Sequence, residues 1–233
     1  SGNGQYFIYS LDDYSMYYFT SNFGNSFVRD GFSTISGRIV SVLMSYDASS
    51  VVVISNNCYI SKGTINATSP YITINSTSLV VSKTPTLAAM SGNGNVIVIY
   101  FTTNELYISY NGGSSFQYLS TVSSVADIKL SYSGQNISIL NGLAPSLLKS
   151  SDFGKTWSSN TIYGSNYGTY KLAISYNTQY ILVSNERGFF TSNNYGTTWN
   201  NISINGNYMS GSACSMDYTG KYQVITACDT NNV

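Results

Sequence analysis

The feature that most constrains this chain is a short run that returns in phase. "TSNFGNSF" (20–27), "SYNGGSSF" (109–116), "SSDFGKTW" (150–157) and "SNNYGTTW" (192–199) align as Ser/Thr, any residue, Asp/Asn, any, Gly, any, Ser/Thr, aromatic. The glycines at 24, 113, 154 and 196 stand 89, 41 and 42 residues apart, so the first gap is two periods with one copy missing. A second marker keeps the same period: "SGNGQ" (1–5), "SYDAS" (45–49), "SGNGN" (91–95), "SYSGQ" (131–135), "SYNTQ" (175–179) and "DYTGK" (217–221). Self-similarity at 40–46 residues restricts the chain to stacked copies of one supersecondary unit.

Each copy of the second marker has turn composition, and a strand-like run follows it, as in "VVVIS", "VIVIY" and "YILVS". Five of the six are also preceded by one, as in "RIVSVLM" and "VADIKL". A third strand, such as "ELYIS" or "GFFTS", lies between the two markers, and a fourth, such as "SFQYLST", follows the aromatic. Four short antiparallel strands per unit are the arithmetic of an all-β, β-propeller fold built of four-stranded blades. A sandwich would not keep the same turn residues at a constant spacing, and a β-helix has a shorter period.

The expected blades span 1–34 (partial), 37–84, 85–123, 124–166, 169–208 and 211–233 (partial), about five to six within a single propeller domain or segment. The second departs from the pattern, because "YISKGTINATSPYI" lacks the first motif and predicts a remodelled loop. Residues 1–34 supply second, third and fourth strands, and 211–228 a first and second. Two expectations follow: a longer parent propeller, or donation of the surplus "KYQVIT" strand to a neighbouring copy.

Within the motif each position has a physical task. Gly24, Gly113, Gly154 and Gly196 suit a positive φ in a tight turn. Asn22, Asn111, Asp152 and Asn194, with Thr20, Ser109, Ser150 and Ser192, can satisfy turn N–H groups that have no ladder partner. Phe27, Phe116, Trp157 and Trp199 open the fourth strand and are expected to bury their rings against the blade. Three copies carry Asn where Asp152 stands, so the position serves hydrogen bonding and not acid catalysis.

This pattern resembles the Asp-box, or bacterial neuraminidase repeat, of sialidase-like and sortilin-like β-propellers. The resemblance covers nearly the whole chain and implies a propeller whose boxes lie at the outer rim, away from the central channel. It also raises sialidase-like hydrolysis, in which three Arg clamp a substrate carboxylate while a Tyr, a Glu and an Asp do the chemistry. The chain has three Arg (Arg29, Arg38, Arg187) and two Glu (Glu105, Glu186), and their strand positions do not converge. Asp12, Asp13, Asp47, Asp127, Asp217 and Asp229 are the candidates for a paired-carboxylate site, and each reads equally as a solvated loop residue.

Other chemistries are poorly supplied. Without any His there is no Ser-His-Asp or Cys-His pairing and no metal spacing. Zero net charge and 9% charged residues give no footprint for nucleic acid, and no run is long enough for membrane insertion. Cys214 and Cys228 fit either a disulfide or two free thiols in adjacent strands. Sequons at Asn66, Asn75, Asn136 and Asn201 are possible N-glycosylation sites, at a frequency that composition alone explains.

The expected function is therefore a non-catalytic structural or interaction propeller without cofactor or metal. It would act at an extracellular, virion or fibre surface and present loops or strand edges to protein partners or copies of itself. A carbohydrate-binding or glycoside-hydrolysing propeller is the alternative, which leaves glycans as a second class of partner.

Overall fold

A strand covered on one face alternates apolar and polar residues; "VVVIS" at 51–55 does not alternate, so both of its faces need cover. The computed structural model shows how that cover is supplied. It describes every residue except 11–15, 33–34, 36, 67, 70, 144–145, 163–168, 186–187, 203–209 and 229–233. All regular structure among the described residues is β. The chain divides into two units, Ser1–Thr121 and Val122–Val233, each with its own packing.

In the first unit, β1 (Phe7–Ser10), β2 (Met16–Thr20) and β3 (Val28–Gly31) form a three-stranded sheet. A four-stranded sheet follows, of β4 (Ile39–Met44), β5 (Val51–Ser55), β6 (Tyr59–Ile65) and β7 (Ile72–Leu79). The third sheet has β8 (Pro85–Met90), β9 (Ile97–Phe101), β10 (Glu105–Ser109) and β11 (Gln117–Thr121). In the second unit the fourth sheet has β12 (Val125–Leu130), β13 (Ile137–Asn141), β14 (Ser146–Ser150) and β15 (Ser158–Thr161). The fifth has β16 (Thr169–Ile174), β17 (Ile181–Asn185), β18 (Gly188–Ser192) and β19 (Asn200–Ile202), and the sixth pairs β20 (Ser210–Met216) with β21 (Gln223–Cys228). Strands pair antiparallel with their sequence neighbours throughout, the blade arrangement of a propeller.

The second strand of each four-stranded sheet is the buried centre of its blade. Val51 and Val53 pack toward the first sheet with Tyr17, Phe19 and Phe32. Val52 and Ile54 point the other way and meet Ile97, Ile99 and Phe101 of the third. In the second unit Ile181 and Val183 face Leu140 and Leu147, while Leu182 faces Cys214, Met216 and Ile225 of the sixth sheet. Strand β21 holds the same place in the sixth sheet, yet no third strand covers it among the described residues, and Val224 is 65% exposed.

One regularity has no counterpart in the sequence pattern. The first strands β4, β8, β12, β16 and β20 each carry a register shift near their start, between Ile39 and Ser41, Pro85 and Leu87, Val125 and Asp127, Thr169 and Lys171, and Gly211 and Ala213. A bulge at a fixed place raises the local twist of each strand in the same way.

The register corrects one expectation. Cys214 lies opposite Ile225 and Cys228 opposite Ser210, four positions away, which at ~3.3 Å per residue is far beyond the reach of a disulfide. Cys214 is a free thiol.

Burial sets the expected cost of core changes. Ile99→Ala removes a fully buried side chain from the contact between the second and third sheets, and is expected to destabilise by about 2–5 kcal/mol in urea unfolding. Val224→Ala on the exposed β21 should stay within about 0.5 kcal/mol.

Candidate functional site

The repeated eight-residue run forms the connection between third and fourth strands, and its four copies share one hydrogen-bond plan. The opening hydroxyl donates to the Asx oxygen: Thr20 to Asn22 at 2.7 Å, Ser109 to Asn111 at 2.9 Å, Ser150 to Asp152 at 2.8 Å and Ser192 to Asn194 at 2.9 Å. The same hydroxyl accepts the glycine N–H, at 3.3 Å for Gly24 and 2.9, 2.7 and 2.8 Å for Gly113, Gly154 and Gly196. The Asx oxygen in turn accepts the N–H of Ser26, Ser115, Thr156 or Thr198. All four opening hydroxyl residues are buried.

The glycine has positive φ in every copy, and so does the residue before it: Phe23, Gly112, Phe153 and Tyr195 lie at φ of 61, 62, 62 and 60°. With an N–H of the following residue bonded back to the Asx carbonyl, this is a type I′ turn. Bulky aromatics at positive φ are strained, and sequence reasoning missed them. The closing aromatics are less buried than expected: Phe116, Trp157 and Trp199 are half-buried and Phe27 is exposed. Each stands one residue before its strand, at the turn end, where neighbouring cover is incomplete.

The second marker solves the same problem between first and second strands. Ser45, Ser91, Ser131 and Ser175 are buried, and each accepts an N–H from the residue five positions on. The fourth position takes positive φ in all six copies, including Ala48 and Thr178. The second position links neighbouring sheets through the backbone: Gly2 N–H donates to Tyr46 O and Tyr46 N–H to Gly92 O in the first unit, Tyr132 N–H to Tyr176 O and Tyr176 N–H to Tyr218 O in the second. The two kinds of turn also join within a sheet, since Phe23, Gly112, Phe153 and Tyr195 donate their N–H to Gln5, Asn95, Gln135 and Gln179.

The turns of the third and fifth sheets close against the sheet that precedes each. A Cβ on Gly113 would stand 3.4 Å from Ile60 of β6, and one on Gly196 3.2 Å from Leu147 of β14. Two residues beyond each of these contacts a lysine reaches across: Lys62 Nζ donates to Ser114 Oγ and Lys149 Nζ to Tyr195 O. Burial lowers the Lys149 ammonium pKa. The second sheet, which lacks the motif, uses its long β6–β7 hairpin instead. Asp30 accepts from Ser69 and from Tyr71 N–H, and the buried Tyr17 hydroxyl accepts Ile72 N–H. Burial pushes the Tyr17 phenol up to about 12.

The candidate catalytic groups are not assembled. The described carboxylates Asp30, Asp47, Glu105, Asp127, Asp152 and Asp217 each accept at least two hydrogen bonds from the chain itself. The hydroxyl and N–H of Thr156, with a lesser contribution from Ser150, hold Asp152 at about 2 against an opposing effect of desolvation. Asp47 is lowered by Ser45 and Ser49, Glu105 by Lys83 and Thr103, and Asp217 by the Thr219 hydroxyl. Asp30 is desolvated, but donation from Gly31 and Tyr71 still leaves it lowered. Asp127 ties β12 to β16 by accepting Leu172 N–H, and pairs with Lys129.

The remaining candidates are equally dispersed. Arg29 on β3 and Arg38 before β4 are both exposed, on different sheets. Asp12, Asp13, Glu186, Arg187 and Asp229 lie outside the described residues. Burial raises the thiols of Cys58 and Cys214, the latter to about 11, so neither is a thiolate at neutral pH. No cluster of three or more Cys, Asp or Glu able to hold a metal occurs among the described residues. Of the sequon residues, Asn75 and Asn201 are exposed, whereas Asn66 and Asn136 are half-buried and donate from Nδ2 to Thr73 and to Asn177 O.

What the turns leave at the surface of the second unit is aromatic. Tyr176 and Tyr218 stack at 4.5 Å, and Tyr132 meets Tyr218 edge-on at 6.2 Å. The three are 36–45% exposed. All three stand at the second position of the second marker, in 131–135, 175–179 and 217–221.

No protein-family model matches the chain, and no curated protein sequence matches it. Solved structures do. An ancestral GH74 enzyme is 18% identical with a TM-score of 0.63, over 82% of this chain and 28% of that one. YCF48 bound to D1 peptide is 12% identical with a TM-score of 0.66, over 91% of this chain and 69% of that one. Hsv2 of Kluyvelomyces marxianus is 8% identical with a TM-score of 0.64, over 96% and 72%. The chain therefore spans under a third of the GH74 enzyme and about seven-tenths of the others. At these identities the likeness establishes the fold, and the chain is a β-propeller protein.

The turn geometry makes a pH prediction. The Asp152 carboxyl lies at about 2 when folded and near 3.9 when unfolded, so its stabilising contribution is complete above about pH 5 and is lost as pH falls through about 2. Asp152→Asn should leave the urea midpoint at pH 7 nearly unchanged, because three sister turns use Asn, and should flatten its decline between about pH 5 and 2. Gly154→Ala, at a φ of 86°, should cost about 1 kcal/mol or more at every pH.

Proposed function

We propose that the chain is a non-catalytic propeller of the Asp-box type whose turn surface contacts another protein, outside the cell or on a particle surface. The observation that carries this reading is the engagement of every described carboxylate in turns and inter-sheet clamps, with all the resolved shifts downward. A general acid at neutral pH needs the opposite shift. Low charge supports the setting, and a structural neighbour solved with a peptide supports the mode of action.

The contact surface in this reading is the tyrosine cluster of the second unit. Tyrosines combine a large apolar face with a hydroxyl and lose little entropy on binding, which suits them to protein contacts. Selection of a random peptide library on the immobilised chain should enrich sequences that a Tyr176→Ser, Tyr218→Ser double variant fails to retain, and a panel of chromogenic glycosides should show no turnover. Undiminished retention by the double variant would remove the assigned surface. Turnover abolished by Asp127→Asn would overturn the non-catalytic reading.

A further inference from the structure

The second unit also holds a groove of about 490 Å³, walled largely by turn residues and separate from the tyrosine cluster. It runs between the fourth and fifth sheets at the turn end, with Trp157, Lys149 and Tyr195 among its walls. Between them stand short polar groups: Asn136, Ser138, Ser151, Ser158 and Thr178. Among the described residues Ile181 is its one aliphatic wall residue, and no carboxylate lines it.

The chemistry of these walls selects a ligand class. Hydroxyl and amide groups both donate and accept, and so match a ligand that does both along its length. Half-buried Trp157 and half-exposed Tyr195 offer ring faces to C–H-rich surfaces. Lys149 Nζ gives one hydrogen bond to Tyr195 O and has two further N–H to offer a ligand oxygen. A cationic ligand would find no carboxylate in the walls and would meet the Lys149 charge. Asp152 is ionised beside the lining residues Ser151 and Thr156, so a second anion gains little. A long apolar ligand would cover the polar side chains of these walls without bonding them.

We propose that this groove binds a neutral saccharide, with a sugar ring stacked on Trp157 and its hydroxyls bonded to Lys149, Asn136 and the serine hydroxyls around them. The site goes beyond the protein-contact reading and does not depend on it. It is proposed as a recognition site, because no carboxylate lies in its walls among the described residues.

The chain's two tryptophans allow a direct measurement. In a Trp199→Phe background the emission reports Trp157 alone, and titration with maltohexaose, cellohexaose, mannohexaose, xylohexaose and chitohexaose should give a saturable change for at least one of them below about 5 mM. Removing the ring by Trp157→Ala, followed by calorimetry with the sugar that binds, should weaken binding by about tenfold or more. Ser158→Phe, at an exposed position on β15, should block the groove and serves if the alanine variant does not fold. Tyr118→Ala, on an exposed tyrosine of the first unit, should leave affinity unchanged. The proposal is overturned if none of the five sugars binds, if binding survives Ser158→Phe, or if only acidic oligosaccharides such as oligogalacturonate bind.

Discussion

A buried hydroxyl that donates to an Asx oxygen while accepting the N–H of a left-handed residue is the interaction on which the rest of this structure depends. It occurs at Ser109, Ser150 and Ser192 with distances of 2.7–2.9 Å on both sides, and in longer form at Thr20. A type I′ turn pressed against a neighbouring sheet has N–H groups that water cannot reach, and each would cost about 1–3 kcal/mol if left unpaired. Supplying the acceptor from the turn's own first residue lets the turn be both tight and buried. That in turn lets Gly113 and Gly196 approach Ile60 and Leu147 closely enough to seal the contact between sheets.

The same economy explains the composition and narrows the function. Ser, Thr and Asn are abundant because each turn consumes several, and two strand lysines, Lys62 and Lys149, are bonded to turn oxygens. Among the described residues every carboxylate is bonded within the fold in this way, and only 9% of the chain is charged. Aromatic faces at the turn end remain, and both proposed recognition surfaces are built from them.

Much of the fold was legible in the residues because it is set locally. Two-sided burial follows from runs such as "VIVIY", and the turn glycines follow from their spacing. Other features were hidden for physical reasons. Phe23, Phe153 and Tyr195 adopt positive φ against their own propensity, since the hydrogen-bonded frame around them over-determines the turn. The bulges of the first strands obey packing between sheets and have no residue signature. Lys149 reads as a solvated charge until β14 is placed beside the turn of the next sheet. The missing motif of the second sheet gave no hint that Asp30 and Tyr17, some forty to fifty-five residues away, would bind its replacement hairpin. A disulfide between Cys214 and Cys228 was compatible with composition and is ruled out only by register.

Native-state hydrogen exchange tests the central claim most directly. Gly113, Gly154 and Gly196 lie in turns outside any strand ladder, yet their N–H groups donate to buried hydroxyls. If those bonds organise the fold, the three amides will be protected to the level of the buried second strands, such as Ile99 and Val183, and will open with them. Exchange of the three glycine amides at the rate of exposed loop residues, with the second strands still protected, would contradict the account.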